Sequence, residues 1–433
     1  MTDLNLYRAQ EGFVNFGLCE TKPNRSEAFR MRSPSLNGKG DEENRFGKVA
    51  ASPNSQNLTE RGIKTALVYD WLVTIGGGEK TLEAIYENFP APIYTLVHHQ
   101  KAMEKTPFAT AEIHPSFLQK IPFATSCYRY LLPFFPLAIE QFNLNDYDLI
   151  LSTSHAVAKG VLTHPGQLHL CYCLTPMRYA WDLTHRYLQD LGPLQKALAR
   201  LALHRLRNWD IASLNRVDHF AAISNYIAKR IKKVYGREAE VIYPPVNVSE
   251  IPFQESKEEF YLTISRLVPY KKIDLIVEAF SQTPERRLIV IGDGPEMSKI
   301  KQKAGKNIEI LGHQTDGVVH DHMKRAKGFI FAAEEDFGIV VVEAQAAGTP
   351  VIAFGRGGAL ETIIEGKTGL FFDAQTIPSL LKTLNGFDRM EFDPHSLRKN
   401  AQRFNKTRFQ TEFHDFVTRK RKEFHENHHS RRG

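Results

Sequence analysis

Short apolar runs alternate with helix-like stretches twice along this chain, and Tyr243-Pro244-Pro245 separates the two series. In the first series Thr65–Tyr69, Ile93–Val97, Leu149–Ser152, His169–Cys173 and Asp218–Ala222 read as strands. Glu79–Asn88 and the basic Asn225–Tyr235 read as helices. In the second, Phe260–Ser265, Leu288–Ile291, Ile308–Leu311, Gly328–Phe331 and Val351–Ala353 read as strands with helical stretches between them. Apolar runs bounded by polar turns and linked through helices belong to parallel sheets covered on both faces. Two prolines cannot continue a helix or a central strand, so the boundary between two doubly wound α/β domains falls there. Such sheets bind ligands beyond the carboxyl ends of their strands, and two facing domains place a cleft between two such edges.

The 433-residue length accommodates both domains, read as residues 63–245 and 246–395. Residues 1–62 are rich in Ser, Asn, Gly, Lys and Glu and lack an apolar period. They read as a disordered polar extension, because they cannot bury enough surface to offset chain ordering. Residues 396–433 read as a crossover helix and a basic tail. One long helical stretch is expected from His395 to Phe424, with Phe404, Phe409, Phe413 and Phe416 on one face packing back across both domains.

With 42% hydrophobic and 24% charged residues, the chain is neither wholly disordered nor collagen-like. Cys19, Cys127, Cys171 and Cys173 are too scattered for a disulfide framework or a zinc knuckle, and read as reduced thiols in a cytosol. The longest apolar run, Tyr130 to Ile139, contains two prolines and falls short of the ~20 residues of a membrane span. Net charge is +7, and Lys159 to Arg237 holds 13 basic against 4 acidic residues. The excess points to phosphates, a membrane surface or nucleic acid. Nucleic-acid binding lacks aromatic-interleaved motifs and a groove-reading element.

Four motifs sit at the predicted strand edges. Gly76-Gly77-Gly78-Glu79 offers amides and a helix N-terminus to an anion, or is a plain tight turn; it is neither a Walker loop nor a dinucleotide fingerprint. In Ser265-Arg266-Leu267-Val268-Pro269-Tyr270-Lys271-Lys272, two cations can clamp a diphosphate, Arg as a fork and Lys as a point charge. Ile291-Gly292-Asp293-Gly294-Pro295-Glu296 again offers amides at a strand edge. Glu334-Glu335-Asp336-Phe337-Gly338-Ile339 opens a helix carrying Glu343. Carboxylates beside a helix N-terminus are stabilised there and accept hydrogen bonds from the vicinal hydroxyls of sugars and ribose. Asp146-Tyr147-Asp148 reads as a strand-entry turn rather than a metal site, and His425, His428 and His429 are irregularly spaced. His155 lies at a strand edge facing the cleft, as a satisfied loop residue or a catalyst.

From about Lys64 to Phe416 these motifs resemble the retaining "group 1" glycosyltransferases of GT-B architecture, in their mannosyltransferase-like subgroup. The resemblance also rests on Tyr69-Asp70-Trp71-Leu72, Thr175-Pro176-Met177-Arg178-Tyr179-Ala180-Trp181-Asp182, Tyr243-Pro244-Pro245-Val246 and Gly357-Gly358-Ala359-Leu360-Glu361-Thr362. It implies two Rossmann-like domains facing a central cleft. It implies a retaining, metal-independent enzyme without a cofactor. The enzyme would move a hexose, mannose as the first choice, from a nucleotide-diphosphate sugar to a lipid-linked or polysaccharide acceptor, as in lipopolysaccharide assembly. Arg266 and Lys271 would hold the diphosphate, and Glu343 the ribose. Glu335 and the amides of Phe337, Gly338 and Ile339 would hold the transferred sugar and phosphate. Gly77 and Gly78 would approach from the first domain; Gly292 and Gly294 would edge the site; His313 and Gln314 would lie near the base; Arg178 would face the acceptor. Glu335, Arg266 and Lys271 would carry catalysis. A cytoplasmic protein peripheral on the inner membrane face is implied, with the basic surplus and the apolar Ile121–Phe142 segment toward anionic lipid; a buried helix is the other reading of that segment.

Leu174 stands where the subgroup usually has a histidine at the sugar, Asn247 where Asp is common and Val341 where Pro is common. Leu174 sustains a second reading, a GT-B module that binds nucleotide-sugar without turnover. A nucleotide-sugar epimerase of the same architecture is a third.

Overall fold

The computed structural model describes residues 62–189 and 191–429. The extension read for residues 1–62 lies, except for Gly62, outside the described residues, as do Cys19 and the Arg431-Arg432 tail.

Two wholly parallel sheets form. The first contains β1 (Thr65–Tyr69), β2 (Ile93–Thr95), β3 (Ile113–Pro115), β4 (Leu149–Ser154), β5 (Leu168–Cys173), β6 (His219–Ala222) and β7 (Ala239–Val241), in the order β3-β2-β1-β4-β5-β6-β7. The second contains β8 (Glu258–Ile264), β9 (Leu288–Ile291), β10 (Ile308–Gly312), β11 (Ala326–Phe331), β12 (Val351–Phe354) and β13 (Gly369–Phe372), in the order β10-β9-β8-β11-β12-β13. Strand order reverses between β1 and β4 in one sheet and between β8 and β11 in the other. Those reversals open the crevices where doubly wound sheets take ligands.

The central strands are buried on both faces, including the polar ends of β4 and the histidine in β5. His169 is tolerated there because its ring is satisfied. Nδ1 lies 2.7 Å from the Arg216 carbonyl and Nε2 lies 2.8 Å from the Ser152 hydroxyl, while burial pushes its pKa down to about 4. Cys171 and Cys173 are buried, and burial raises both thiols.

The helices that matter for the cleft are α1 (Gly77–Asn88), α2 (Pro193–Ala212), α3 (Asn225–Tyr235), α4 (Ile273–Ser281), α5 (Met297–Lys303), α6 (Asp316–Arg325) and α7 (Ile339–Ala346), followed by α8 (Ile377–Phe387), α9 (Pro394–Gln402) and α10 (Lys406–His429). The single helix expected from His395 to Phe424 is two. The chain breaks at Arg403–Asn405 because Phe404 is tied to the interdomain linker: Val246 N–H donates to the Phe404 carbonyl at 2.9 Å. Asn405 then starts α10, accepting from Arg408 N–H at 2.7 Å. Phe409 and Phe413 pack edge-on against Tyr172 of β5, and Phe413 against Phe89. The expected phenylalanine face thus carries α10 back onto the first domain.

The Ile121–Phe142 segment is a chain of short turns rather than a helix, with Pro133 and Pro136 interrupting it. Tyr128, Leu132, Phe135, Ala138 and Ile139 are buried beneath it, while Phe123, Phe134 and Leu137 face outward. The 20-residue α2 packs into the same core through Ala199, Leu203 and Leu206. Among the described residues no helix is long and apolar enough to cross a membrane.

Candidate active site

One cleft of about 730 Å³ lies between the two strand-order reversals. Its walls come from the carboxyl ends of strands or from the helices that follow them. The first domain contributes Tyr69, Gly77, Gly78, Glu79, Lys80, His155, Leu174, Thr175 and Arg178. The second contributes Ser265, Arg266, Tyr270 and Lys271 after β8, and Gly292 and Asp293 after β9. It adds His313 and Gln314 after β10, and Glu335 to Ile339 with Glu343 after β11.

Lys271 touches Glu335 across the reversal of the second sheet. Burial, and then the positive charges of Arg266 and Arg178, push the Lys271 ammonium down to about 7. Arg266 Nη2 donates to the Tyr270 hydroxyl at 3.0 Å, which holds the guanidinium at the cleft edge. Phe337 and Gly338 bring the chain into α7, so the first amides of that helix face the same space. Glu343, one turn further, is about a fifth exposed. Desolvation raises its pKa, opposed by Lys80, whose Nζ lies 3.8 Å away on the other domain.

The loop after β11 also binds the domains together. Asp336 lies 3.3 Å from Arg230 Nη1 and 3.6 Å from Arg178 Nη1, both of the first domain. Ser224 Oγ donates to the Asp336 carbonyl at 2.7 Å, and Glu361 accepts from the first two amides of α3 at 2.8 and 2.9 Å. Arg178 is therefore in the cleft but paired with the donor-side loop. Gly77 packs against the second domain: a Cβ there would meet the Ile339 side chain at 2.7 Å.

Of the residues given a role in the site from sequence, Gly294 alone does not line this cleft. It packs on the loop after β8, where a Cβ would lie 2.5 Å from the Leu267 carbonyl oxygen. The glycines after β9 thus set two loops close together. Tyr69, Glu79 and Asp336 were not anticipated in the site. Tyr69 donates to Glu79 Oε1 at 3.0 Å, and Glu79 Oε2 accepts from Gly76 N–H at 2.9 Å, stapling the start of α1. Glu79 stood next to the glycine run, where a buried N-terminal carboxylate is the expected cap; Asp336 stood inside the fourth motif, but nothing in the sequence pointed to its pairing with the first domain. Among the described residues no three His, Cys, Asp or Glu side chains are grouped to hold a metal ion. Asp148 instead accepts from Lys64 N–H at 3.0 Å at the entry to β4.

Residues 248–404 match the family described as "Glycosyl transferases group 1". An uncharacterized glycosyltransferase of Methanocaldococcus jannaschii is 30% identical over 194 residues, 44% of this chain and 55% of that protein. The GDP-mannose-dependent alpha-(1-6)-phosphatidylinositol monomannoside mannosyltransferase of Mycolicibacterium smegmatis is 27% identical over 223 residues, 44% of this chain and 56% of that protein. The chain thus spans about half the length of the curated relatives it matches. The solved structure of Anabaena HepE with UDP and glucose overlays with a TM-score of 0.60 at 19% identity, covering 82% of this chain and 99% of that one. Residues 248–404 are thus similar to the group 1 glycosyl transferases, and the two facing parallel sheets have the GT-B fold.

Proposed function

We propose that this protein transfers a hexose from a nucleotide-diphosphate sugar to a hydroxyl of a lipid-linked or polysaccharide acceptor, with retention of anomeric configuration and without a metal. The observation that carries this reading is the meeting of Arg266, Lys271, Glu335 and Glu343 with the first amides of α7 in one interdomain cleft. Mannose is the first choice of sugar, supported by the similarity to the GDP-mannose-dependent mannosyltransferase of Mycolicibacterium smegmatis.

In the reaction the bond from the anomeric carbon to the diphosphate oxygen breaks and its electron pair leaves with the phosphate. Arg266, Lys271 and the amides of Phe337 to Ile339 meet that developing charge, each preorganised donor contributing ~3 kcal/mol. Glu343 accepts from the ribose hydroxyls. The acceptor oxygen attacks the face the phosphate leaves, and its proton passes to the departing phosphate. Closure by the Asp336 pairs keeps water from competing.

The acceptor belongs on the first domain. There α2 leaves Leu194, Leu198 and Leu201 exposed at 74%, 45% and 52%, beside Arg200 and Arg205, in the pattern of a helix lying on anionic lipid. A peripheral position on the inner membrane face follows from that reading.

The test is a melting-shift panel of GDP, GDP-mannose, UDP and UDP-glucose, with and without EDTA, followed by NMR of the transfer product. One nucleotide and its sugar should raise Tm equally with and without EDTA, and the product should keep the donor's anomeric configuration. An inverted linkage excludes retention; binding without transfer or hydrolysis favours the non-catalytic module that Leu174 suggests.

A further inference from the structure

Among the side chains that the first domain contributes to the cleft wall and that the donor-binding reading leaves without a role is His155. His155 and Leu174 are neighbours by register: Ser154 of β4 pairs with Cys173 of β5, so each residue is the first beyond the carboxyl end of adjacent strands. Leu174 N–H donates to the Ser154 carbonyl at 2.8 Å, which locks that alignment. Both side chains line the cleft. Leu174 offers no polar atom there; His155 offers a ring.

That ring is held from three sides. It stands edge-on to Trp71 with centroids 4.4 Å apart and lies 5.8 Å from the Tyr69 ring. Its buried Nδ1 lies 3.1 Å from Asp70 Oδ2, within ion-pair distance but without hydrogen-bond geometry, and makes no hydrogen bond among the described residues. Asp70 is fully buried and already accepts four amides. His155 and Ala156 donate to Oδ2 at 2.7 and 2.9 Å, and Val157 and Ala158 donate to Oδ1 at 2.6 and 2.7 Å. A carboxylate only accepts, so the Nδ1 beside it carries hydrogen, and the neutral ring then presents Nε2 as an acceptor. About a quarter of the side chain is exposed, on the cleft side. The four amides offset the cost of burying the carboxylate and fix the loop that carries the imidazole at the reversal of the first sheet.

We propose that His155, positioned by Asp70, accepts a hydrogen bond from a hydroxyl of the transferred sugar, supplying from β4 the polar contact that Leu174 cannot supply from β5. This rests on the donor-binding reading of the same cleft. Glu335 grips the sugar from the second domain and His155 from the first, so the two walls hold it between them.

The experiment measures affinities of GDP, GDP-mannose, UDP and UDP-glucose by calorimetry for the wild type, His155→Ala, His155→Gln and the double variant His155→Ala with Leu174→His. For whichever nucleotide binds, His155→Ala should leave the free diphosphate within about twofold and weaken its sugar conjugate about tenfold. Leu174→His in that background should restore most of the loss, because it returns an imidazole to the neighbouring strand end. His155→Gln serves if the alanine variant melts early, with the same diphosphate control. Equal weakening of both ligands, or none, overturns the proposal, as does failure of Leu174→His to restore sugar affinity in a folded double variant. A wild type that binds no nucleotide and no conjugate refutes the donor-binding reading instead.

Discussion

Lys271, which the proposed function sets against the nucleotide's phosphates, has its chemistry set by three neighbours. Burial and the charges of Arg266 and Arg178 lower its pKa to about 7, although Glu335 touches it. Above that value the free protein carries more neutral Lys271. A bound diphosphate supplies the countercharge and draws the proton back. Affinity is therefore full below about pH 7 and falls as pH rises, by about tenfold per unit once well past the free-state value. Calorimetry of GDP or UDP from pH 6.5 to 8.5, in buffers of different ionisation enthalpy, should show this decline together with proton uptake. Lys271→Arg stays charged and should remove both. A flat wild-type profile would show that Lys271 does not meet the phosphates. Its place at the cleft was legible in the sequence as a cation five residues after Arg266; its depressed pKa was not, because Arg178 arrives from the other domain.

At the level of elements, the site depends on loops packed backbone to backbone. The turn after β12 supports the loop after β11. A Cβ on Gly358 would stand 2.3 Å from the Phe337 Cα and 2.7 Å from the Asp336 carbonyl oxygen. Neither atom can move without shifting the amides at the start of α7. Gly358→Ala is expected to cost about 1–3 kcal/mol of stability by overpacking, and to weaken nucleotide-sugar binding at least tenfold. Thermal melting and calorimetry read the two effects; unchanged affinity would show that the loop is not held from this side. In sequence, Gly357-Gly358 stood out only as part of a family resemblance. The central strands were legible because burial on both faces makes them apolar throughout. The edge strands β3 and β7 are three residues each and carry no such signal. Helix α2 escaped notice because leucines lie on its buried and exposed sides alike.

Taken whole, the molecule is two α/β lobes joined by the Asp336 ion pairs, the Glu361 cap on α3 and helix α10, which leaves the second lobe to pack on the first. Its outer first-lobe surface bears on where the acceptor comes from. Replacing Leu194, Leu198 and Leu201 together by Ser should abolish co-flotation with phosphatidylglycerol vesicles and leave nucleotide binding intact. Wild-type flotation should weaken between about 0.1 and 0.5 M salt as charges are screened. Flotation indifferent to both changes would place the lipid-facing surface elsewhere. The amino-acid order alone determined the two-domain α/β plan, since strand burial, glycine turns and the Pro-Pro break are local signals. It also named most of the cleft's donor-side residues, because loops at the carboxyl ends of strands have nowhere else to point. Only the tertiary structure decided that Asp336 joins the lobes, that Gly294 packs between two loops beside the cleft, and that Asp70 holds the loop of His155. Those pairings join residues far apart along the chain, and only the packing of the sheets brings them within hydrogen-bonding reach.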